Sequence, residues 1–225
     1  MVRFQEFRRE QLLASDGSIG SVYDLYFEDG LWQIRYFVVD TRRWLPGRKV
    51  LIAPEAVIGD QPWSEGVPVN LTREQVKHSP GFKTELPVSR KNEEALVAYY
   101  QWAQRFTRTV APAFAAALPH QPVEVINPRE AAEPQLRSAR EVLGYDVVGP
   151  DGAIGDIVDL RFDKVSFTIQ ALEVDPHSQV GLPVLTIHPR HVLAVRWNDR
   201  TVVVDVDFGN LAGVDDADRG LAAPG

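Results

Sequence analysis

Apolar and polar positions alternate with a period of two along "DGSIGSVYDLYF", which opens at Asp16, and the same frame returns in "DGAIGDIVDLRF", which opens at Asp151. A period of two is the side-chain period of a β-strand. The pattern predicts a first strand around Ile19 to Phe27, a tight type I′ hairpin at Asp29-Gly30, and a second strand from Trp32 to Val39. A third strand follows at Val50 to Ala53, and a last pair runs near Ile58 to Ser64 and Val67 to Leu71. Near the chain's end Leu193, Val195 and Trp197 are expected on one face, as are Val202, Val204 and Val206. Five or six short strands with one apolar face are too few for a sandwich, and closing them into a small barrel buries that face. Asp16-Gly17 and Asp151-Gly152 read as turns. Gly20 and Gly155 sit where the alternation slips by one residue, which predicts a bulge or sharp bend of the kind a small barrel needs.

The two stretches belong to a longer internal repeat. At a constant offset of 135, the 56 aligned pairs from position 16 to 71 contain 15 identities. They include Asp16, Gly17, Ile19, Gly20, Asp24, Leu25 and Phe27 with Asp151, Gly152, Ile154, Gly155, Asp159, Leu160 and Phe162. One ungapped register over that span marks a duplicated domain. The expected fold class is therefore mainly β, with two small β-barrels joined by a helical segment and an Ala/Pro-rich linker. The repeats are expected to pack as a pseudo-two-fold pair, the contact an ancestral homodimer would have used.

Between the repeats the pattern changes to a helical one. Thr72-Arg-Glu-Gln75 has capping-box spacing and starts a short helix. Ser89 is placed to cap a longer helix through Phe106, with Leu96, Val97, Tyr100 and Ala103 on one face. The expected divisions are a first barrel at 1–71, a helical segment at 72–106, a linker at 107–135, a second barrel at 136–213 and an acidic tail at 214–225.

Composition narrows the chemistry. The chain has no cysteine, which excludes disulfides, thiol catalysis and thiolate metal sites. Its uncharged runs are too short and proline-broken to span a bilayer, and the N-terminus lacks a signal-like apolar core, so a cytoplasmic protein is expected. Net charge is −7, and residues 136–225 hold 8 basic and 14 acidic groups, or −6 of it. That balance disfavours RNA or a membrane surface as partner and gives no expectation of DNA.

The stretch "DGSIGSVYDLYFEDGLWQIRYFVVDTRRWLPGRKVLIAPEAV" resembles the PRC-barrel domain, the small barrel of the photosynthetic reaction-centre H subunit and of a ribosome-maturation factor. The following "VNLTREQVKHSPGFKTELPVSRKNEEALVAYYQW" is similar to the segment that trails the barrel in stand-alone bacterial members. The second repeat, from "LRSAREVLGYDVVGPDGAIG", matches the strands but has "HSQVGLP" where the first has "WLPG". The resemblance implies two PRC-type barrels acting in assembly or docking, with no catalytic residues and no cofactor to carry over.

The most distinctive local chemistry is "TRRWLPGRK", where Arg42, Arg43, Arg48 and Lys49 surround Trp44 between two strands. Such a loop either docks an anionic partner, an RNA strand or lipid headgroups, or covers a barrel end with its cations solvated. Asp24/Asp159 and Asp40/Asp175 recur in both repeats and read as structural, with Asp24 placed to pair with Arg35. His177, His188 and His191 lie close in sequence without a recognisable third ligand, so no metal site is expected. No nucleophile elbow or phosphate-binding loop occurs, so no enzyme is expected. The expected function is a non-catalytic interaction module that binds a protein complex through barrel edges, the helix near Tyr99 to Trp102, or the Trp44 loop, with homo-oligomerisation possible. The alternatives are an RNA- or ribosome-associated accessory factor, or a peripheral membrane protein, using the basic loop.

Overall fold

A computed structural model describes residues 1–42, 44–45, 48–59, 63–80, 90–100, 136–176 and 183–207. The linker at 107–135, the tail at 214–225, Arg43, Ser89, Trp102, Ala103 and His177 lie outside the described residues. In chain order the first repeat supplies β1 (Val2–Arg3), α1 (Phe4–Phe7), β2 (Gln11–Ala14), β3 (Gly17–Glu28), β4 (Gln33–Asp40), β5 (Lys49–Ile52) and β6 (Val67–Pro68). Two helices follow, α2 (Arg73–His78) and α3 (Arg90–Tyr100). The second repeat supplies β7 (Leu136–Ser138), α4 (Ala139–Val142), β8 (Asp146–Gly149), β9 (Gly152–Phe162), β10 (Ile169–Pro176), β11 (Leu185–Ile187), β12 (Val192–Arg196) and β13 (Thr201–Val204). The protein is mainly β, with two curled sheets and a few short helices. Among the described residues, no helix is long and apolar enough to cross a membrane.

One sheet runs β5-β4-β3-β2-β6 and the other β11-β10-β9-β8-β13-β12. In each, the longest strand is only half covered by its own repeat: β2 pairs with Gly17 to Ser21 of β3, and β8 with Gly152 to Asp156 of β9. That leaves a length of unpaired strand edge, which a folded protein must cover. The other repeat covers it. β1 pairs antiparallel with β9 (Val2 with Phe162, Arg3 with Arg161), and β7 pairs antiparallel with β3 (Arg137 with Phe27, Ser138 with Tyr26). The offset of 135 converts one set of partners into the other. The repeats have therefore exchanged their lead segments, and packing crosses the boundary that the repeat suggests.

The exchange explains the carboxylate shared by the two repeats. Asp159 accepts a hydrogen bond from the Gln5 backbone N–H (3.0 Å), at the start of α1. Asp24 accepts one from the Arg140 N–H (3.1 Å) and another from the Ser138 hydroxyl (2.6 Å), at the start of α4. Gln5 and Arg140 are equivalent positions. Each Asp thus satisfies a donor at the first turn of the other repeat's helix, where backbone N–H groups have no intrahelical partner. Arg35, expected opposite Asp24, lies 3.5 Å from Glu28.

The pseudo-two-fold axis runs between Gln33 and Thr168, equivalent residues that form a bridge with each other. Around it Ile34 N–H donates to the Phe167 carbonyl and Ile169 N–H to the Trp32 carbonyl, both at 2.8 Å. Trp32 and Phe167 both hold left-handed backbone (φ 56° and 53°). Bulky residues avoid that region unless their surroundings impose it. The expected two-residue turn at Asp29-Gly30 is consequently a four-residue connection, closed by Trp32 N–H on the Glu28 carbonyl (2.9 Å). Its length carries Trp32 into the core, where its ring stacks on Phe27 at 5.3 Å.

A single apolar core spans both repeats. Phe7, from the first lead segment, sits edge-on to Phe37 at 5.2 Å and to Phe162 at 5.1 Å, so one ring joins the two sheets. On the outer face of the first sheet, Leu96 and Tyr100 of α3 pack over Tyr26, Tyr36, Val38, Leu51 and Ala53. The capping box at Thr72 and Gln75 is present at the start of α2.

Two strand expectations need correction. Among the described residues, the last pair of the first repeat forms only β6 and a bridge between Val57 and Val69. Asp60, Gln61 and Pro62 of that expected pair lie outside the described residues. In β12, a register shift between Val192 and Ala194 turns Leu193 out to solvent, while Val195 and Trp197 pack on the core.

Candidate functional site

The Trp44 loop is tied down from within. The buried Thr41 hydroxyl donates to the Arg48 carbonyl (2.7 Å), pinning the two ends of the loop together. Trp44 is half-buried against the core, its indole N–H donates to the Ile19 carbonyl, and the Arg73 guanidinium lies 4.5 Å above its ring. Arg42 makes a two-pronged contact with Asp40, at 2.6 Å at its closest, which holds that carboxyl below the usual carboxylate range. Arg48 donates to the Lys77 and Ser79 carbonyls and so closes the C-terminal end of α2. The Lys49 ammonium sits 3.2 Å over the Tyr23 ring, with Arg140 4.2 Å from the same ring. Each of the three described cations thus has a partner inside the chain.

The turn and bulge residues also have defined neighbours. Asp16 accepts the Arg73 N–H (2.8 Å) and links the first turn to α2. Gly17 and Gly152 follow the two turns with φ of 130° and 120°. The pairing of β2 with β3 shifts register beside Gly20, and that of β8 with β9 shifts beside Gly155. A Cβ at Gly20 would meet the Asp40 carbonyl oxygen at 2.1 Å, and one at Gly155 the Asp175 oxygen at 2.0 Å. Neither close approach leaves room for a side chain.

Burial pushes the Asp24 carboxyl above its ordinary value, against the opposing pull of Ser138 and the Arg140 and Leu25 N–H groups. Asp159 is raised for the same first reason, with the Gln5 and Leu160 N–H groups opposing. A raised folded-state pKa favours the protonated form of the folded protein. This group's contribution to stability is therefore complete below the unfolded pKa and is lost as pH rises through the folded one. Asp24→Asn keeps an acceptor for the N–H groups and should cost less than about 1 kcal/mol at neutral pH, whereas Asp24→Ala strands three donors and should cost about 2–3 kcal/mol. Urea melts at pH 4 and pH 7 should show the wild-type advantage over Asp24→Asn shrinking as pH rises; an advantage that grows would refute this placement of the charge.

Glu173 is a buried charge that the sequence reading missed. It is 2% exposed, opposes Asp159 across β9 and β10, and is met by Arg3 (3.0 Å) and Arg161. Its signal was the repeat alignment itself, which sets Glu173 against the apolar Val38. Of the histidines, His177 lies outside the described residues, and His188 and His191 have separate partners. His188 Nδ1 accepts the Arg190 N–H (3.1 Å), and burial lowers its pKa. His191 pairs through Nδ1 with Asp205 at 2.8 Å. Among the described residues no three His, Asp or Glu side chains are placed to hold a metal.

An open groove of about 600 Å³ lies between the repeats. One side is the first repeat's connection from Asp29 to Trp32; the other is the second repeat's Thr168 to Gln170 and the run from His188 to Val195, ending at Trp197. Leu31 (57% exposed) and Leu193 (66%) stand at its rim. Trp197 is braced by Tyr145 at 6.0 Å and by the Arg137 guanidinium at 4.0 Å, which in turn pairs with Asp29 at 2.9 Å. No protein-family model matches the chain. No curated protein matches its sequence either. The case for function therefore rests on this geometry.

Proposed function

We propose that this protein is a non-catalytic docking module, a tandem pair of PRC-type barrels that binds a protein complex. The observation that carries the reading is how the chain divides its chemistry. The buried carboxylates Asp24, Asp159 and Glu173 are occupied by bonds that join the two repeats, while Leu31 and Leu193 stand exposed at the groove between them. Catalytic carboxylates need free access to a substrate proton, and these three face the chain's own donors. An RNA or membrane role would draw on the Trp44 loop, where Arg42, Arg48 and Lys49 are engaged internally and the net charge of −7 opposes anionic surfaces.

Affinity capture from the source lysate, with and without nuclease, tests the assignment. A stoichiometric, nuclease-resistant protein partner is expected, retained in the triple variant Arg42→Ala/Arg43→Ala/Lys49→Ala. Arg48 is spared because it closes α2. Nuclease-sensitive capture that the triple variant abolishes would transfer the function to the RNA reading.

A further inference from the structure

The groove lies where the pseudo-two-fold relation between the repeats breaks. On the first-repeat side, the Trp63 indole lies nearly parallel to Phe167 at 6.4 Å, meets Phe7 at 5.6 Å, and has the Lys164 ammonium 6.0 Å from its centroid. The equivalents of Phe167 and Lys164 are Trp32 and Asp29, and both line the groove. The equivalent of Trp63 is Asn198, which is exposed, and the adjacent Trp197 is turned instead onto Tyr145 and Arg137. In one repeat the chain's own Trp63 indole covers Phe167, whereas in the other the matching position is the exposed Asn198, and the largely buried Trp32 (8% exposed) contributes to the groove lining.

One wall of that groove is a strand edge: among the described residues β12 ends its sheet, while the facing Thr168 and Ile169 are already bonded to Gln33 and Trp32. A terminal strand presents a row of backbone donors and acceptors, the template for adding one more strand from another chain. The bulge that turns Leu193 outward puts an apolar contact on that same edge. Charge sets the sign of the occupant. Asp29 is balanced by Arg137, whereas Arg190 donates to a ring nitrogen of His191, and Arg196 stands exposed at the far end of β12.

We infer that the groove receives an extended segment of a partner protein, which adds as a strand beside β12, sets one aromatic side chain against Trp32, and directs acidic residues toward Arg190 and Arg196. This assignment rests on the docking reading and names its contact surface. The five residues of β12 span about 17 Å, so the recognised segment is about five residues long.

The test selects a displayed library of random twelve-residue peptides on the full chain, then titrates the enriched peptides by calorimetry. Enriched sequences should share one aromatic residue with acidic neighbours. Leu193→Asp and Leu31→Asp, both at exposed positions, should each weaken binding by about tenfold or more, as should Arg190→Glu. Bound peptide should slow amide hydrogen exchange across 192–196. Failure to enrich any sequence overturns the inference, as does binding that tolerates both Leu substitutions or leaves those amides unprotected. Concentration-dependent self-association abolished by Leu193→Asp would instead give the groove to a second copy of this chain. The two readings separate in the lysate capture: a partner held equally by wild type and Leu193→Asp keeps the docking function and removes the groove from it.

Discussion

Replacing Phe7 by Ala lowers the stability of the whole molecule by about 3–5 kcal/mol, the usual cost of deleting a large aromatic side chain from a packed core. The residue ends α1, in the short lead segment ahead of β2. Here it is fully buried and fills the space between Phe37 of the first repeat and Phe162 of the second. Its loss opens a cavity that both sheets line, so the two repeats should lose stability together. Fluorescence and far-ultraviolet circular dichroism should report one coincident transition, shifted to lower denaturant with an unchanged slope. A second, separate transition, or a shift confined to one repeat, would show that the exchanged segments do not couple the halves. Leu31→Asp serves as control: its side chain is mostly exposed and the change should stay within about 0.5 kcal/mol.

That coupling marks the limit of what the sequence discloses. The duplication is legible because Gly20, Asp24 and Phe27 recur in an unbroken frame, and the frame leads directly to strands and a mainly β fold. The exchange of lead segments is not legible. It is carried by backbone hydrogen bonds to strands of two and three residues, and those bonds leave little trace in side-chain type. Val2 corresponds to Arg137 and Phe7 to Val142, so the two lead segments fill the same places with different residues. The trace that did survive was the shared Asp24 and Asp159. Its meaning depended on knowing that the N–H groups it accepts come from the other repeat. Leu193 escaped for a related reason: strict alternation assigned it to the core face, and one register shift reversed it. Bulges obey the backbone geometry of a pair of strands, which a single strand's pattern does not contain. The internal contacts of the basic loop were not legible either. Arg42, Arg48 and Lys49 look like a cluster in the sequence, but Asp40, the end of α2 and the Tyr23 ring take up one each.

Adding a single methyl group at position 155 should be among the most damaging changes available to this chain. The Cβ of Gly155→Ala would fall 2.0 Å from the Asp175 carbonyl oxygen, 2.7 Å from its carbon and 2.9 Å from Pro176 Cα. All three are backbone atoms, so no side chain can swing aside. The strands must part by about an ångström or more to restore ordinary contact, where Val174, Asp175 and Pro176 pair with Ile157, Asp156 and Gly155. The cost should exceed about 3 kcal/mol, the upper range for overpacking a core. Gly20→Ala meets the Asp40 carbonyl oxygen at 2.1 Å and should behave alike. Because the exchanged segments tie the sheets together, either substitution should loosen both repeats. Amide exchange should therefore quicken on β3 as well as β9 in each variant. Gly59→Ala has nothing within 4 Å of its new Cβ and should change stability by no more than about 0.5 kcal/mol. If Gly155→Ala melts within about 1 kcal/mol of wild type, β9 and β10 do not approach as closely as the shared glycine implies. If it melts early while β3 keeps its protection, the repeats fold as separate units, and the groove between them loses the fixed geometry that binding a strand requires.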